Sequence, residues 1–211
     1  MSEFKIQKQY DQIANIYDWR WQSYIMNTLS FLHTWEQIDP RAKILDVACG
    51  TGEFERLLLK KNPTQRIIGI DISEKMLNIA RKKYQTNSNV EFQKVSVHSL
   101  PFNSHSFDVV VCANAFHYFD YPQVALGEIK RVLKPSGKVI ILDWNKDYFF
   151  CRICDWFLRI FDSAHQQCYT QAELHQLLVS AEFKIHNATK FRLGFIWGLM
   201  VVTAIPIKSY A

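Results

Sequence analysis

A doubly wound α/β fold is what this sequence predicts, and three observations carry the prediction. Short apolar runs alternate with amphipathic helical segments between Lys43 and Asp143. The first run ends in a glycine turn, Ala48-Cys49-Gly50-Thr51-Gly52, and the second, Gly69-Ile70-Asp71, ends in a carboxylate. Strands alternating with helices at this rhythm need crossovers, and crossovers give a largely parallel sheet with helices on both faces.

The elements follow in order. Residues 1–39 read as two helices, with Phe4, Tyr10, Ile13, Ile16 and Tyr17, then Ile25, Leu29, Leu32 and Trp35, at helical spacing before Pro40. From there the chain reads as strand 43–47, helix 52–61, strand 66–70, helix 73–84 with Ser73 at its start, strand 90–95, strand 107–112, helix 121–133 and strand 138–143. Phe107–Cys112 and Val139–Leu142 are apolar runs of the kind buried on both faces, and Leu133-Lys134-Pro135-Ser136-Gly137 reads as a helix end followed by a Pro/Gly turn. The last third gives helix 148–162, helix 170–180 opened by the capping box Thr170-x-x-Glu173, and strands 183–191 and 196–205. Gly194 joins these two as an antiparallel hairpin, which brings the expected strands to seven. A chain of 211 residues fills one core, so one domain is expected. Its parts are a helical cap at 1–39, a ligand-binding core at 40–145, a helical insertion at 146–170 and the helix and terminal strands at 171–211.

Composition narrows the function classes. The net charge of +5 is dispersed, as on solvated helix faces, so no nucleic acid is expected; it leaves room for contact with an anionic membrane surface. The first thirty residues are too polar for a signal peptide. The longest apolar run, Phe195–Ile207, is interrupted by Gly198 and Pro206 and falls short of a membrane span, so a cytoplasmic location is expected. Five cysteines, an odd count, argue for reduced thiols. Cys151, Cys154, His165 and Cys168 have a spacing that ligates metals, but Cys151 and Cys154 fall in an aromatic, amphipathic helix, where cysteine serves as core filler. No metal is expected.

The glycine turn points to a ligand. Gly50 and Gly52 let backbone approach it closely, and Asp71 follows at the spacing from which an acid chelates both hydroxyls of an adenosine ribose. A dinucleotide fingerprint would carry a third glycine where Glu55 stands, and Glu53 and Glu55 would repel a pyrophosphate. With Asp46 at the strand end, the acids suit an adenosine ligand that carries positive charge, such as an ammonium or a sulfonium.

Leu45-Asp46-Val47-Ala48-Cys49-Gly50-Thr51-Gly52 and Gly69-Ile70-Asp71-Ile72-Ser73 resemble the first two motifs of class I S-adenosylmethionine-dependent methyltransferases. Leu100-Pro101-Phe102, Ser106–Val111 and Ile129–Ile141 resemble that family's fourth strand, following helix and fifth strand. The likeness is close over residues 10–145, and Tyr10-Asp11-x-Ile13-Ala14-x-x-Tyr17-Asp18 is similar to the small-molecule branch that includes ubiquinone and menaquinone biosynthesis methyltransferases.

The resemblance implies a Rossmann-like, mostly parallel seven-stranded sheet whose edge is the C-terminal antiparallel hairpin. It implies S-adenosyl-L-methionine as donor, S-adenosyl-L-homocysteine as product, and a small aromatic or lipophilic acceptor methylated on oxygen or carbon. It also implies roles for particular residues. Gly50 and Gly52 pass beneath the methionine part, which backbone of Asp46, Ala48 and Thr51 contacts; Asp71 holds the ribose; Ile72 and Met76 form the wall for adenine. Ser96 stands where the family usually has an acid for the adenine amino group, so the Val97 amide joins it there, and Asn114 borders the crevice. Tyr10 and Tyr17 are expected to cap the donor. His117 is the candidate general base, with His33, His165 and Asp143 as weaker alternatives. Trp19, Trp21, Tyr118, Phe119, Trp144, Phe149 and Trp156 are candidates for an acceptor pocket.

Three other functions compete. RNA methylation is opposed by Asn114-Ala115-Phe116-His117, which lacks the Asn/Asp-Pro-Pro-aromatic stretch used on exocyclic amines. The cysteines keep a thiol or arsenic methyltransferase in view, and a non-catalytic S-adenosylmethionine-binding protein is the third. The acceptor, the regiochemistry and the oligomeric state stay open.

Overall fold

The computed structural model describes residues 2–161, 166–194 and 197–207. Strands β1 (Lys43–Val47), β2 (Arg66–Asp71), β3 (Val90–Lys94), β4 (Phe107–Ala113) and β5 (Leu133–Trp144) pair in parallel. Strand β7 (Trp197–Pro206) runs antiparallel between β5 and the edge strand β6 (Phe183–Leu193), giving the order β3-β2-β1-β4-β5-β7-β6. The order reverses between β1 and β4, and the crevice outside the carboxyl ends at such a switch point is where ligands bind in sheets of this kind.

Helices cover both faces of the sheet. On one face α4 (Pro122–Val132) and α6 (Gln171–Ser180) bury Leu126, Ile129, Leu174 and Leu178. On the other, α2 (Glu53–Lys61) and the second half of α1 (Ser2–Trp35) bury Phe54, Leu58, Leu29 and Leu32. The central strands are therefore apolar on both sides: Leu45 and Ile141 face one cluster, Ile44 and Ile140 the other, all at most 1% exposed. Helix α3 (Glu74–Lys83) starts at Ser73, whose Oγ accepts from the Met76 N–H at 3.2 Å. The expected capping box of α6 is present, with Thr170 and Glu173 bonding reciprocally.

Three expectations change. Residues 2–35 form one continuous helix of 34 residues rather than two, because no glycine or proline interrupts the segment before Pro40. A helix of that length reaches about 50 Å, so only its second half packs on the sheet while its first half crosses the strand ends. Phe4 and Ile16, expected on its apolar face, are exposed. The third change is at β5, which begins at Leu133 instead of Lys138. Leu133 pairs with Phe107, and the register then jumps to Lys138 opposite Val109, so the Pro135–Gly137 turn bulges out of the strand. Gly137 is required there: a Cβ would lie 2.9 Å from the Asp108 carbonyl oxygen. Helix α5 (Phe149–Phe161) fills most of the segment read as 148–162, and residue 162 lies outside the described residues.

Candidate functional site

The site begins where β1 and β4 run out. Ala48 and Asn114, just beyond β1 and β4, both hold φ 58°, a left-handed conformation that costs a residue with a Cβ roughly 1–2 kcal/mol. Strain of this kind gathers where a loop is held for a ligand. Gly50 (φ 56°) and Gly52 (φ 82°) complete the first turn. A Cβ at Gly50 would meet nothing within 4 Å, so this glycine faces open space. One at Gly52 would sit 2.8 Å from the Tyr84 ring, so Gly52 admits that ring, whose hydroxyl donates to the Gly52 carbonyl at 2.6 Å.

Asp71 locks this turn to the next. Its Oδ2 accepts from the Gly50 N–H at 2.9 Å and its Oδ1 from the Ser73 N–H at 2.8 Å. A carboxylate has about four acceptor positions. Two are used by the loops, and the rest remain for a ligand's hydroxyls. Burial raises the Asp71 pKa, and the backbone N–H groups of Ser73, Gly50 and Ile72 oppose that rise.

Two adjoining cavities open at these strand ends, with about 770 and 430 Å³ of empty space. Tyr17, Ala48, Gly50 and Asn114 line both, which makes them one bent site. Asp71, Ile72, Met76 and Val97 line the larger arm; Asp46 and Thr51 line the smaller. Ten of the twelve residues expected at the cofactor thus converge. Gly52 supports the turn from behind. Ser96 instead borders a shallow depression with Glu3, Phe4 and Gln7.

The first half of α1 roofs the site. Ile6, Tyr10 and Tyr17 line the larger cavity from above, and Tyr10 stands edge-on to Tyr17 and Tyr118 at 5.9 and 5.8 Å. Polar ties fix the helix to the ligand loops: Asp11 accepts from the Ser73 hydroxyl at 2.6 Å, Asp18 from the Thr51 hydroxyl at 2.5 Å, and Tyr24 donates to Asn114 Oδ1 at 2.8 Å. Glu3 matters most. Its Oε1 accepts from the Ser96 hydroxyl at 2.5 Å and lies 2.8 Å from His98 Nδ1, and Glu3 lines the cavity. A carboxylate from the helix therefore arrives where the resemblance implies an acid and the strand supplies serine. Glu3, Ile6 and His98 were not singled out from sequence; only the seven-residue step from Tyr10 to Tyr17, with Ile6 four before it, hinted at a lining face of α1.

The acids form a cluster that favours a positive guest. Asp46 is 3% exposed, and burial, then the charges of Glu55 and Asp71, push its pKa well up. Burial likewise pushes Glu55 up to about 7. The linkage has a definite sign: an acid with a raised folded pKa favours the folded state below its unfolded value, here 4.5, and that contribution is lost as pH rises through about 7. The ligand-free protein is expected to lose thermal stability between pH 5 and 8, and Glu55→Gln to flatten that decline. A melting-temperature series checks it; an equally steep decline in the variant removes Glu55 as the cause.

His117 lines neither cavity. It is 2% exposed, its Nδ1 lies 2.6 Å from Asp143 Oδ1, and its N–H donates to Asp143 Oδ2 at 2.8 Å. Its ring stacks on Trp144 at 5.0 Å and touches Tyr118, so it sits one layer behind the cavity wall. His33 is in the last turns of α1, away from both cavities, and His165 lies outside the described residues. Tyr118 and Phe119 do line the larger cavity. Trp21 and Trp144 instead join Tyr24 and Trp197 in an aromatic cluster, with Trp144 Nε1 donating to the Tyr24 hydroxyl at 2.7 Å. Trp19, Phe149 and Trp156 are exposed and none of them lines the bent site; Trp19 borders a separate open depression with Gln22, Met26 and Arg56. Cys151 bonds the Gly198 backbone through Sγ, and burial raises the Cys151 and Cys168 pKa values, which keeps both as thiols.

A model of the methyltransferase domain matches residues 45–141. A demethylmenaquinone methyltransferase of Thermotoga maritima is 33% identical over 162 residues, covering 74% of this chain and 66% of that one. Its counterpart in Staphylococcus aureus is 34% identical over 146 residues, 67% of this chain and 58% of that one. The chain thus spans just under two thirds of the length of these curated relatives, or less. Among solved structures, a chain from the Haloferax volcanii complex containing the Trm112 methyltransferase activator superposes with a TM-score of 0.85 at 19% identity, covering 97% of this chain and 99% of that one. That likeness speaks to the fold.

Proposed function

The chain belongs to the class I S-adenosylmethionine-dependent methyltransferases, and from that premise we propose that it methylates a carbon or oxygen of a small, lipophilic aromatic acceptor of the quinone type. The observation that carries the reading is the convergence of ten expected donor residues on one bent, aromatic-roofed site. Names of the two curated relatives support the quinone class.

The residues present fit the cofactor. Gly50 leaves its Cβ space open, Asp71 keeps acceptor positions free, and Asp46, whose pKa burial and the neighbouring acids raise, would be stabilised in its charged form by a positive guest. When bound, S-adenosylmethionine supplies an electrophilic methyl group on a positively charged sulfur. Transfer breaks the sulfur–methyl bond, gives that electron pair to sulfur, forms the bond to the acceptor and releases one acceptor proton. The protein's part is to orient and to exclude water, and orientation alone is worth as much as about 7–11 kcal/mol in favourable cases. Asp71 would hold the ribose, Glu3, positioned by the Ser96 hydroxyl, the adenine edge, and Tyr10 and Tyr17 would shut water out from above. We assign His117 a positioning role: enclosed against Asp143, it steadies the Asn114–Tyr118 loop.

Calorimetric titration with S-adenosylmethionine and S-adenosylhomocysteine, followed by mass spectrometry of acceptors, tests the reading. Binding of both and methylation of a demethylated naphthoquinol are expected. Failure to bind either cofactor form, or methyl transfer to tRNA, thiols or arsenite with the quinol untouched, overturns it.

A further inference from the structure

Helix α5 is inside out. Phe149, Phe150, Ile153, Trp156 and Ile160 are between 47 and 69% exposed, whereas Cys151 and Asp155 face inward. At 100° per residue the exposed five, together with exposed Phe157, fall within an arc of about 120°, with Arg152 on its flank. Arg152 is exposed, and exposed Arg192 lays its guanidinium 4.9 Å over the Tyr148 ring beside the start of the helix. The lone acid of α5, Asp155, is buried and accepts from the Cys168 N–H at 2.6 Å. Among the described residues of α5, the outward face is thus apolar with a cationic rim and no acidic side chain.

We propose that α5 is an interfacial helix that lies flat in the headgroup region of an anionic membrane and sets the mouth of the cofactor site against that surface. A broad apolar arc rimmed by arginine matches an acyl boundary beneath acidic headgroups, and a contiguous exposed patch of this kind marks an interaction site. Among the described residues no helix is long and apolar enough to cross a membrane, so the helix lies on the bilayer.

Position ties the helix to the site. It follows directly from β5, whose carboxyl end holds Asp143 and Trp144. Tyr148 and Cys151 seat it on Gly198; a Cβ there would be 2.1 Å from the Tyr148 ring. The neighbouring Trp197 packs at 5.2 Å on Tyr24, whose hydroxyl bonds the cavity residue Asn114. One aromatic layer, Trp197 on Tyr24, therefore links the inward side of the helix to the bent site.

The test needs no acceptor, so it stands apart from the reading of substrate. The whole chain is sedimented with vesicles of phosphatidylcholine, with and without phosphatidylglycerol. The protein is expected to pellet with the anionic vesicles and more weakly with the neutral ones. Ile153→Glu and Phe150→Glu should each cut that partitioning by tenfold or more, about the cost of placing a charge in the boundary, with circular dichroism and S-adenosylhomocysteine affinity unchanged. Arg152→Glu should weaken binding to the anionic vesicles alone. Wild-type protein that stays in solution with both vesicles, or Ile153→Glu that still pellets, overturns the proposal. So does a solution dimer that Ile153→Glu dissociates, since a second copy would then be what covers the helix.

Discussion

Asp71→Ala is expected to lower the affinity for S-adenosylmethionine and S-adenosylhomocysteine on the order of 100-fold, because charge-assisted bonds to a carboxylate are each worth about 1.5–3 kcal/mol. Two effects add in the same direction. The ligand's hydroxyls lose their acceptor, and Gly50 and Ser73 lose the oxygens that hold the two loops at 2.9 and 2.8 Å. Calorimetry of both ligands measures the loss, and a melting curve separates it from unfolding. Asp71→Asn should fall between the two, since its amide keeps one acceptor oxygen but turns N–H groups toward the other donor. Unchanged affinity in Asp71→Ala would take this residue out of the site.

The second large effect is on stability. His117→Ala should destabilise the fold by about 3–5 kcal/mol, the cost of leaving a buried charge without its partner. Asp143 is fully buried, and among the described residues the backbone amides at 117 and 144 would be the donors left to it. Urea unfolding gives the value. Pairing His117→Phe with Asp143→Asn should recover much of the loss, because replacing both members of a buried pair removes the uncompensated charge. A catalytic base would behave differently: His117→Ala would keep its stability and lose kcat, and that result would restore the role read from the sequence.

The sheet was legible because its signals are local. Ile44–Val47 and Val109–Cys112 are apolar without alternation, which a strand tolerates only when buried on both faces, and Thr170 and Glu173 write their own cap. The donor half of the site was legible for the same reason: Gly50, Asp71 and Ser73 sit at fixed offsets from strand ends, so backbone geometry carries them to one place. Glu3 was not, because nothing near it in sequence says that a helix of 34 residues will carry its first turn to Ser96. The same contact across 93 residues turns an apparent gap at the third strand into a carboxylate site.

Periodicity misled at both helices that cross open space. Apolar spacing implied a buried face for Phe4 and Ile16, and aromatic character made Phe149 and Trp156 candidates for a pocket, but spacing states only that side chains share a face, never what that face meets. Likewise, the distance from Ala113 to His117 suggested a base, and only packing against Trp144 and Asp143 sets the ring behind the cavity wall.

By itself, then, the sequence determined the strand order's raw material, the glycine turn, the acid at the end of β2 and the positive character of the ligand they suit, all consequences of backbone conformation and charge within short windows. Tertiary structure alone decided which face of α1 roofs the site, that Glu3 meets Ser96, that His117 is enclosed, and that the apolar side of α5 looks outward. Those depend on how distant segments pack. Packing is a property of the whole sheet's twist and register, and no local window contains it.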